Sequence, residues 1–142
     1  MKLSVKSDYA TRAVLGLARH FPTGSALRVE DLAASQSVPA NYLVQILIEL
    51  KGQGIAKSIR GKEGGYLLAR RPESITVGQV VRFLEGSQSK SRGGRGKAEA
   101  PFTDMWNRVD EVVSSIIDHT SFAELVRTWA ERQAKYIPNW DI

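Results

Sequence analysis

Apolar residues at three- and four-residue steps mark most of the chain as helical. Tyr9, Ala13, Val14, Leu17, Ala18 and Phe21 follow that spacing. It predicts an amphipathic helix over residues 8–20, capped by Ser7 and with Asp8 in its first turn, where the helix dipole favours an acid. Ahead of it, Leu3 and Val5 alternate with Lys2, Ser4 and Lys6, as in a short strand. Pro22-Thr23-Gly24 ends the helix. A short second helix is expected over 29–35, with Leu32 and Ala33 inward. After the turn Gln36-Ser37-Val38, Pro39 suits a first helical position, because its missing N–H has no intrahelical partner there. In the third helix Leu43, Ile46, Leu47 and Leu50 make the inward stripe, and Asn41, Val44, Gln45 and Ile48 lie on other faces. Gly54 stands at its C-terminal cap.

The pattern changes at Ile55. Residues 55–60 and 66–70 are strand-like, and Gly61-Lys62-Glu63-Gly64-Gly65 joins them as a glycine-rich hairpin tip. A short helix, a tight turn, a longer helix with a buried stripe and then a hairpin is the winged helix-turn-helix arrangement. Thr76 caps a fourth helix with Val77, Val80, Val81 and Leu84 inward, and Gly86 is expected to stop it. Residues 86–101 are rich in Gly, Ser and base without apolar periodicity, which predicts a flexible loop. Thr103 is expected to cap the longest helix, whose apolar side is Trp106, Val109, Val112, Val113, Ile116 and Ile117. Arg108, Asp110, Glu111 and Asp118 occupy its other side. Thr120 or Ser121 caps a last helix, with Ser121 and Glu124 at capping-box spacing and Leu125, Val126 and Trp129 as its apolar face. The tail 136–140 is aromatic enough to pack on something.

The expected fold is therefore mainly α with a small β-hairpin wing. Residues 1–85 form a winged helix-turn-helix domain, 86–101 a Gly/Ser/basic loop, and 102–142 a long dimerisation helix with a C-terminal helix.

Charge adds direction to this picture. Residues 1–71 hold 11 Lys/Arg against 5 Asp/Glu, while residues 102–142 hold 4 against 7, within a net charge of +5. A basic front and acidic back suggest a polyanion-binding module joined to something else. No run approaches the roughly 18 apolar residues of a membrane span, and the N-terminus lacks the apolar core of a signal peptide. With no cysteine there is neither a disulfide framework nor a thiolate metal site, and a cytoplasmic protein is expected.

Enzymatic chemistry finds no support. Gly61, Gly64 and Gly65 match neither a Walker loop nor a dinucleotide fingerprint. His20 and His119 stand alone, as helix-end residues rather than ligands. The adjacent acids Glu30-Asp31 and Asp110-Glu111 point to different helix faces. No Ser/His/Asp set has a supporting motif. No catalytic residue, metal ligand or cofactor is assigned.

DNA readout needs side chains at base edges, while phosphate contacts position the protein. Asn41 and Gln45 can each bond adenine bidentately, and Val44 on the same side suits a thymine methyl. Tyr42 suits a phosphate. Pro39 and Ala40 open the same helix beside them. Arg60, Gly61 and Lys62 form the wing tip, where an arginine suits a narrow minor groove. Lys6, Ser7 and Arg28 are further candidates for phosphate. Glu63 opposes this reading unless it points away from DNA.

Several stretches together resemble a known family. They are Ser7-Asp8-Tyr9-Ala10 with Arg12-Ala13, Tyr42-Leu43 with Gln45-Ile46-Leu47 and Leu50, Arg60-Gly61 with Gly64-Gly65-Tyr66 and Leu68-Ala69-Arg70, Ile75-Thr76-Val77-Gly78, and Trp106 with Leu125-Val126. From Met1 to about Val126 the chain resembles the IscR/NsrR/CymR superfamily of bacterial winged-helix transcription regulators. The resemblance implies a homodimer whose long C-terminal helices cross and which binds a palindromic promoter element in double-stranded DNA. Many members hold an iron–sulfur cluster through three cysteines in the loop that here is 86–101. This chain has Ser91, Arg92, Arg95, Ala98 and Ala100 there and no cysteine, so cluster sensing through thiolates is excluded. Two readings account for the departure: a cysteine-free branch that senses a small molecule or a partner protein, or replacement of the cysteines. The expected function is a DNA-binding regulator, a repressor. The alternative is a protein-interaction module on the same scaffold, with DNA binding secondary or controlled by a partner enzyme.

Overall fold

The structure is a computed structural model and describes residues 4–93 and 100–135. Among these, six helices run in the order α1 (Val5–His20), α2 (Val29–Gln36), α3 (Ala40–Gly52), α4 (Val77–Gly93), α5 (Ala100–Ile117) and α6 (Phe122–Lys135). Strands β1 (Ala56–Ile59) and β2 (Gly65–Leu68) lie between α3 and α4, and short 3-10 turns occupy Phe21–Thr23 and Pro72–Ser74. This is the expected mainly helical fold with a two-stranded wing.

α1 is the hub, packing against α2, α3, α4, α6 and β2. Its Ala10, Ala13, Val14 and Leu17 are buried, as are Leu43, Ile46, Leu47 and Leu50 of α3. Each large side chain of this kind contributes about 1.5–3 kcal/mol on burial. That outweighs the few tenths to about 0.7 kcal/mol by which β-branched residues disfavour a helix. At residue 16, a Cβ would sit 2.4 Å from Leu32 Cδ1, so glycine is what lets α1 and α2 approach.

Several element ends differ from the sequence reading. Val5 belongs to α1 rather than to a strand, and Leu3 lies outside the described residues. Ser4, not Ser7, is the N-cap: its Oγ accepts the Ser7 N–H at 3.1 Å. Glu85 of α4 accepts the Ser4 N–H at 3.0 Å and the Ser7 hydroxyl at 3.0 Å. The orphan N–H of the cap residue is thus met from a residue 81 positions away.

α4 begins as expected, with Thr76 and Gln79 bonding reciprocally as a capping box. It does not stop at Gly86 but runs to Gly93. A lone glycine costs a helix only about 1 kcal/mol relative to alanine, and no proline follows before Pro101. The expected loop over 86–101 is therefore helical through 93, and its residues 94–99 lie outside the described residues. α5 starts at Ala100 rather than after Thr103, with Pro101 in the first turn where its missing N–H costs nothing. Ser121 is the cap of α6, accepting the Glu124 N–H at 3.1 Å. Phe122, fully buried, anchors α6 to the core and was not among the expected core residues. The aromatic tail 136–140 lies outside the described residues.

Arg82 clamps α4 to the end of α5. One nitrogen donates to Ser114 Oγ at 2.9 Å and Asp118 Oδ2 at 2.7 Å, and the other meets Asp118 Oδ1. Hydrogen bonding from Arg82, with its charge, holds the Asp118 carboxyl below its ordinary value of 3.8. A depressed carboxyl contributes stability above its unfolded value and loses it as pH falls through its folded value. Below about pH 4, wild-type urea midpoints are expected to fall more steeply with pH than those of Asp118→Asn. Parallel slopes would show that the clamp does not act through ionised Asp118.

Candidate nucleic-acid interface

The helix-turn-helix is set by three residues between α2 and α3. Ser37 turns the chain at φ 55°, the Val38 N–H bonds Ala33 O at 3.0 Å, and Val38 is buried as the pivot. Pro39 is the N-cap of α3, and its carbonyl accepts the N–H groups of Tyr42 at 3.1 Å and Leu43 at 2.9 Å. At the other end, Gly54 at φ +73° allows the Gly54 N–H to bond Lys51 O and the Ile55 N–H to bond Leu50 O, both at 3.0 Å. This Schellman closure turns the chain directly into the wing.

α3 is sharply two-sided. Leu43, Ile46, Leu47 and Leu50 are sealed in the core, while Ala40, Asn41, Tyr42, Val44, Gln45 and Ile48 are all exposed. The Tyr42 ring meets the Tyr9 ring edge-on, with centroids 5.3 Å apart, which orients it at the flank of the helix. No spacing rule links positions 9 and 42, so only packing reveals that support.

The wing pairs β1 with β2 in antiparallel register from Ala56↔Leu68 to Ile59↔Gly65. Both strands are shorter than the sequence suggests. Leu27, just before α2, adds a bridge to Tyr66, with N–H···O bonds of 2.8 and 2.9 Å. Gly65 makes that bridge possible: it sits at φ +150°, and a Cβ there would lie 2.2 Å from Leu27 O. The wing is thereby fixed to the helix-turn-helix at its base, and Lys51 Nζ bonds Ser58 Oγ at 2.8 Å on the α3 side. At the tip, Arg60, Gly61, Lys62 and Glu63 are exposed, and the Gly64 N–H closes a turn on Gly61 O at 3.0 Å.

The candidate phosphate contacts separate by their partners. Among the described residues, neither Arg60 nor Lys62 is ion-paired, so both charges are open. Arg28 lies 3.7 Å from Glu30 with both side chains well exposed, a pair worth little in water. Lys6 is engaged at 2.8 Å by Glu49, whose other carboxylate oxygen is buried without a partner. Both side chains are about 40% exposed, so this pair too is screened by water and leaves the Lys6 ammonium within reach of a phosphate. Ser7 is fully buried and its hydroxyl is held by Glu85, which leaves it no surface to offer a phosphate. Neither partner of these two residues could be inferred from sequence spacing.

α5 presents a second surface. Trp106, Val109, Val112 and Ile116 are exposed, as are Phe102 and Met105, which the sequence reading left out. Val113 and Ile117 are half-buried within the chain.

A buried-striped helix after a tight turn, beside a hairpin fixed to its own domain, defines a winged helix-turn-helix of the kind that transcription regulators use. Residues 3–128 match the Rrf2 family, described as "Iron-dependent Transcriptional regulator". The chain belongs to that family. It is 30% identical over 137 residues to the HTH-type transcriptional regulator CymR of Bacillus subtilis, covering 96% of this chain and 98% of that protein. It is 31% identical over 131 residues to IscR of Yersinia enterocolitica, covering 89% and 79%. Among solved structures, T. potens IscR superposes with a TM-score of 0.76 at 29% identity, covering 99% of this chain and 95% of that one. The B. subtilis CymR structure, titled as the global cysteine regulator, gives 0.77 at 27% identity, covering 90% and 98%. The resemblance read from sequence thus holds at the level of family and fold.

The family description raises iron, and the donor set does not fit it. The chain has no cysteine to supply a thiolate. Among the described residues no three of His, Asp and Glu converge as metal ligands, and residues 94–99 contribute only Glu99. None of the described helices is long and apolar enough to cross a membrane.

Proposed function

We propose that the chain is a homodimeric, sequence-specific DNA-binding regulator that represses by occupying a promoter element. It responds to a small molecule or a partner protein, with no thiolate-bound iron–sulfur cluster. The observation that carries this reading is the outward face of α3. Asn41, Gln45, Val44 and Ile48 are exposed opposite a completely buried stripe, next to a wing tip whose Arg60 has no ion-pair partner among the described residues. In this reading α3 enters the major groove and Asn41 and Gln45 bond base edges. Arg60 and Gly61 meet the adjacent minor groove, and Tyr42, Lys62, Arg28 and the Pro39-Ala40 end of the helix position the head on phosphates.

The dimer reading is supported by spacing on α5. Phe102, Met105, Val109, Val112 and Ile116 recur at steps of three, four, three and four, the seam of a helix that pairs with another helix. Two such helices would set two heads about one DNA turn apart, the geometry a palindrome requires.

Binding to the gene's own upstream region, followed by gel shift across a salt series, tests the function. Specific DNA is expected to be preferred over a scrambled duplex. Affinity should fall with salt at a log–log slope of about −0.9 for each phosphate contacted. Equal affinity for the two duplexes would sink the regulator reading.

A further inference from the structure

Two branched aliphatic residues of α3 lie outside the core. Ile48 is 51% exposed and Val44 38% exposed, one turn apart on the same helix. Both are β-branched, the class that loses side-chain freedom in a helix, and burial does not compensate them as it does Ile46. At 3.6 residues per turn, Ile48 lies within roughly 20° of Asn41 around the helix, with Val44 roughly 40° to one side and Gln45 roughly 60° to the other. Ile48 is therefore at the centre of the outward face, opposite the buried Leu43, Ile46, Leu47 and Leu50.

The chemistry of this face is selective. Asn41, Val44, Gln45 and Ile48 make two amides and two branched aliphatics, with neither cation nor carboxylate. Lysine and arginine are the usual partners of guanine, and acids accept from cytosine N4. Lys51, at the edge of the face, is held by Ser58. Glu49, on the flank, is held by Lys6. What remains matches the A·T pair, which shows a donor–acceptor edge on adenine and an apolar 5-methyl on thymine.

We propose that Val44 and Ile48 are specificity-determining residues that pack on thymine 5-methyl groups, so that each half-site read by α3 is built on A·T pairs. This rests on the DNA-binding reading above. Within it, the amides read adenine on one strand and the aliphatics cover the methyl groups of the other. Exposed apolar area, idle in the free chain, is removed from water on binding.

The test removes methyl groups and nothing else. The full chain selects an operator from a random double-stranded pool. Half-site thymines are then replaced singly, and in symmetric pairs, by deoxyuridine. At the contacted positions wild-type affinity is expected to drop about fourfold per methyl and about 16-fold per symmetric pair, the equivalent of about 0.8 kcal/mol for each methyl-sized group buried. Ile48→Ala and Val44→Ala, with melting curves matching wild type, should each bind the thymine and deoxyuridine operators alike at the positions they cover. If the wild type binds both forms equally while rejecting a scrambled duplex, the methyl reading is overturned and the DNA-binding reading stands. Selection of half-sites without thymine at their centre would also overturn it. Failure to enrich any sequence overturns both.

Discussion

Gln45→Ala combined with Arg60→Ala is expected to abolish operator preference while leaving a folded dimer. A bidentate amide–adenine contact is worth about 1–3 kcal/mol of discrimination, and a two-headed protein would make it twice, so in the proposed complex Gln45 alone would account for about 30-fold to 10⁴-fold in specific affinity. In the proposed complex Arg60 would act by another route, through the potential of a narrowed minor groove and one phosphate-region charge per head. Its loss should therefore also flatten the salt dependence by about one unit of log–log slope per head. Both side chains are exposed. Substitutions at such positions usually change stability by no more than about 0.5 kcal/mol. Titrations of operator and scrambled duplexes at two salt concentrations separate the two contributions. Retention of the wild-type preference by the double variant would show that base readout lies elsewhere than on α3 and the wing.

Val112→Glu combined with Ile116→Glu is expected to convert the proposed dimer to a folded monomer. Each residue is 60% exposed within one chain, so the change places no carboxylate in the core of the head. In a paired seam the same change leaves uncompensated charges against apolar neighbours, at a cost on the order of 3–5 kcal/mol for a buried unpaired charge. The dimer dissociation constant should rise by at least about 10²–10³-fold. Operator affinity should collapse with it, because a single head forfeits half the contacts. Sedimentation at several concentrations reads the change, and circular dichroism checks the fold. Glu111→Ala, on the other side of α5, serves as the control and should remain dimeric. A double variant that still sediments as a dimer would place the interface off this face.

The helix-turn-helix was legible because its information is local. The four leucine and isoleucine positions of α3, Pro39 ahead of them and Gly54 behind are read directly from 3.6-residue periodicity and end chemistry. The wing was legible for the same reason, although its strands ended short of residues 60 and 70. The start of α1 was misread because a distant group engages the side chain that looks like its cap. Ser7 looks like a cap until Glu85 is seen to hold it from α4. Lys6 looks free from spacing alone, yet packing brings Glu49 to 2.8 Å of it. Gly86 looks like a stop because glycine often ends helices, yet one glycine without a following proline does not break one.

By itself the sequence determined the order of elements, the inward stripe of every helix in the head, the family, and the absence of thiolate ligands. The family was read from the likeness of its motifs; the rest follows from periodicity and composition, which act between residues close in the chain. Tertiary structure alone decided which polar and charged groups are already engaged and which remain open to a ligand. Ser7 is buried with its hydroxyl held by Glu85, Lys6 shares its charge with Glu49 at the surface, Arg60 and Lys62 have no ion-pair partner among the described residues, and Ile48 is 51% exposed near the centre of the outward face. The reason is physical: a side chain's availability depends on neighbours brought to it by packing, and packing joins residues 43 and 78 positions apart, as in Lys6–Glu49 and Ser7–Glu85.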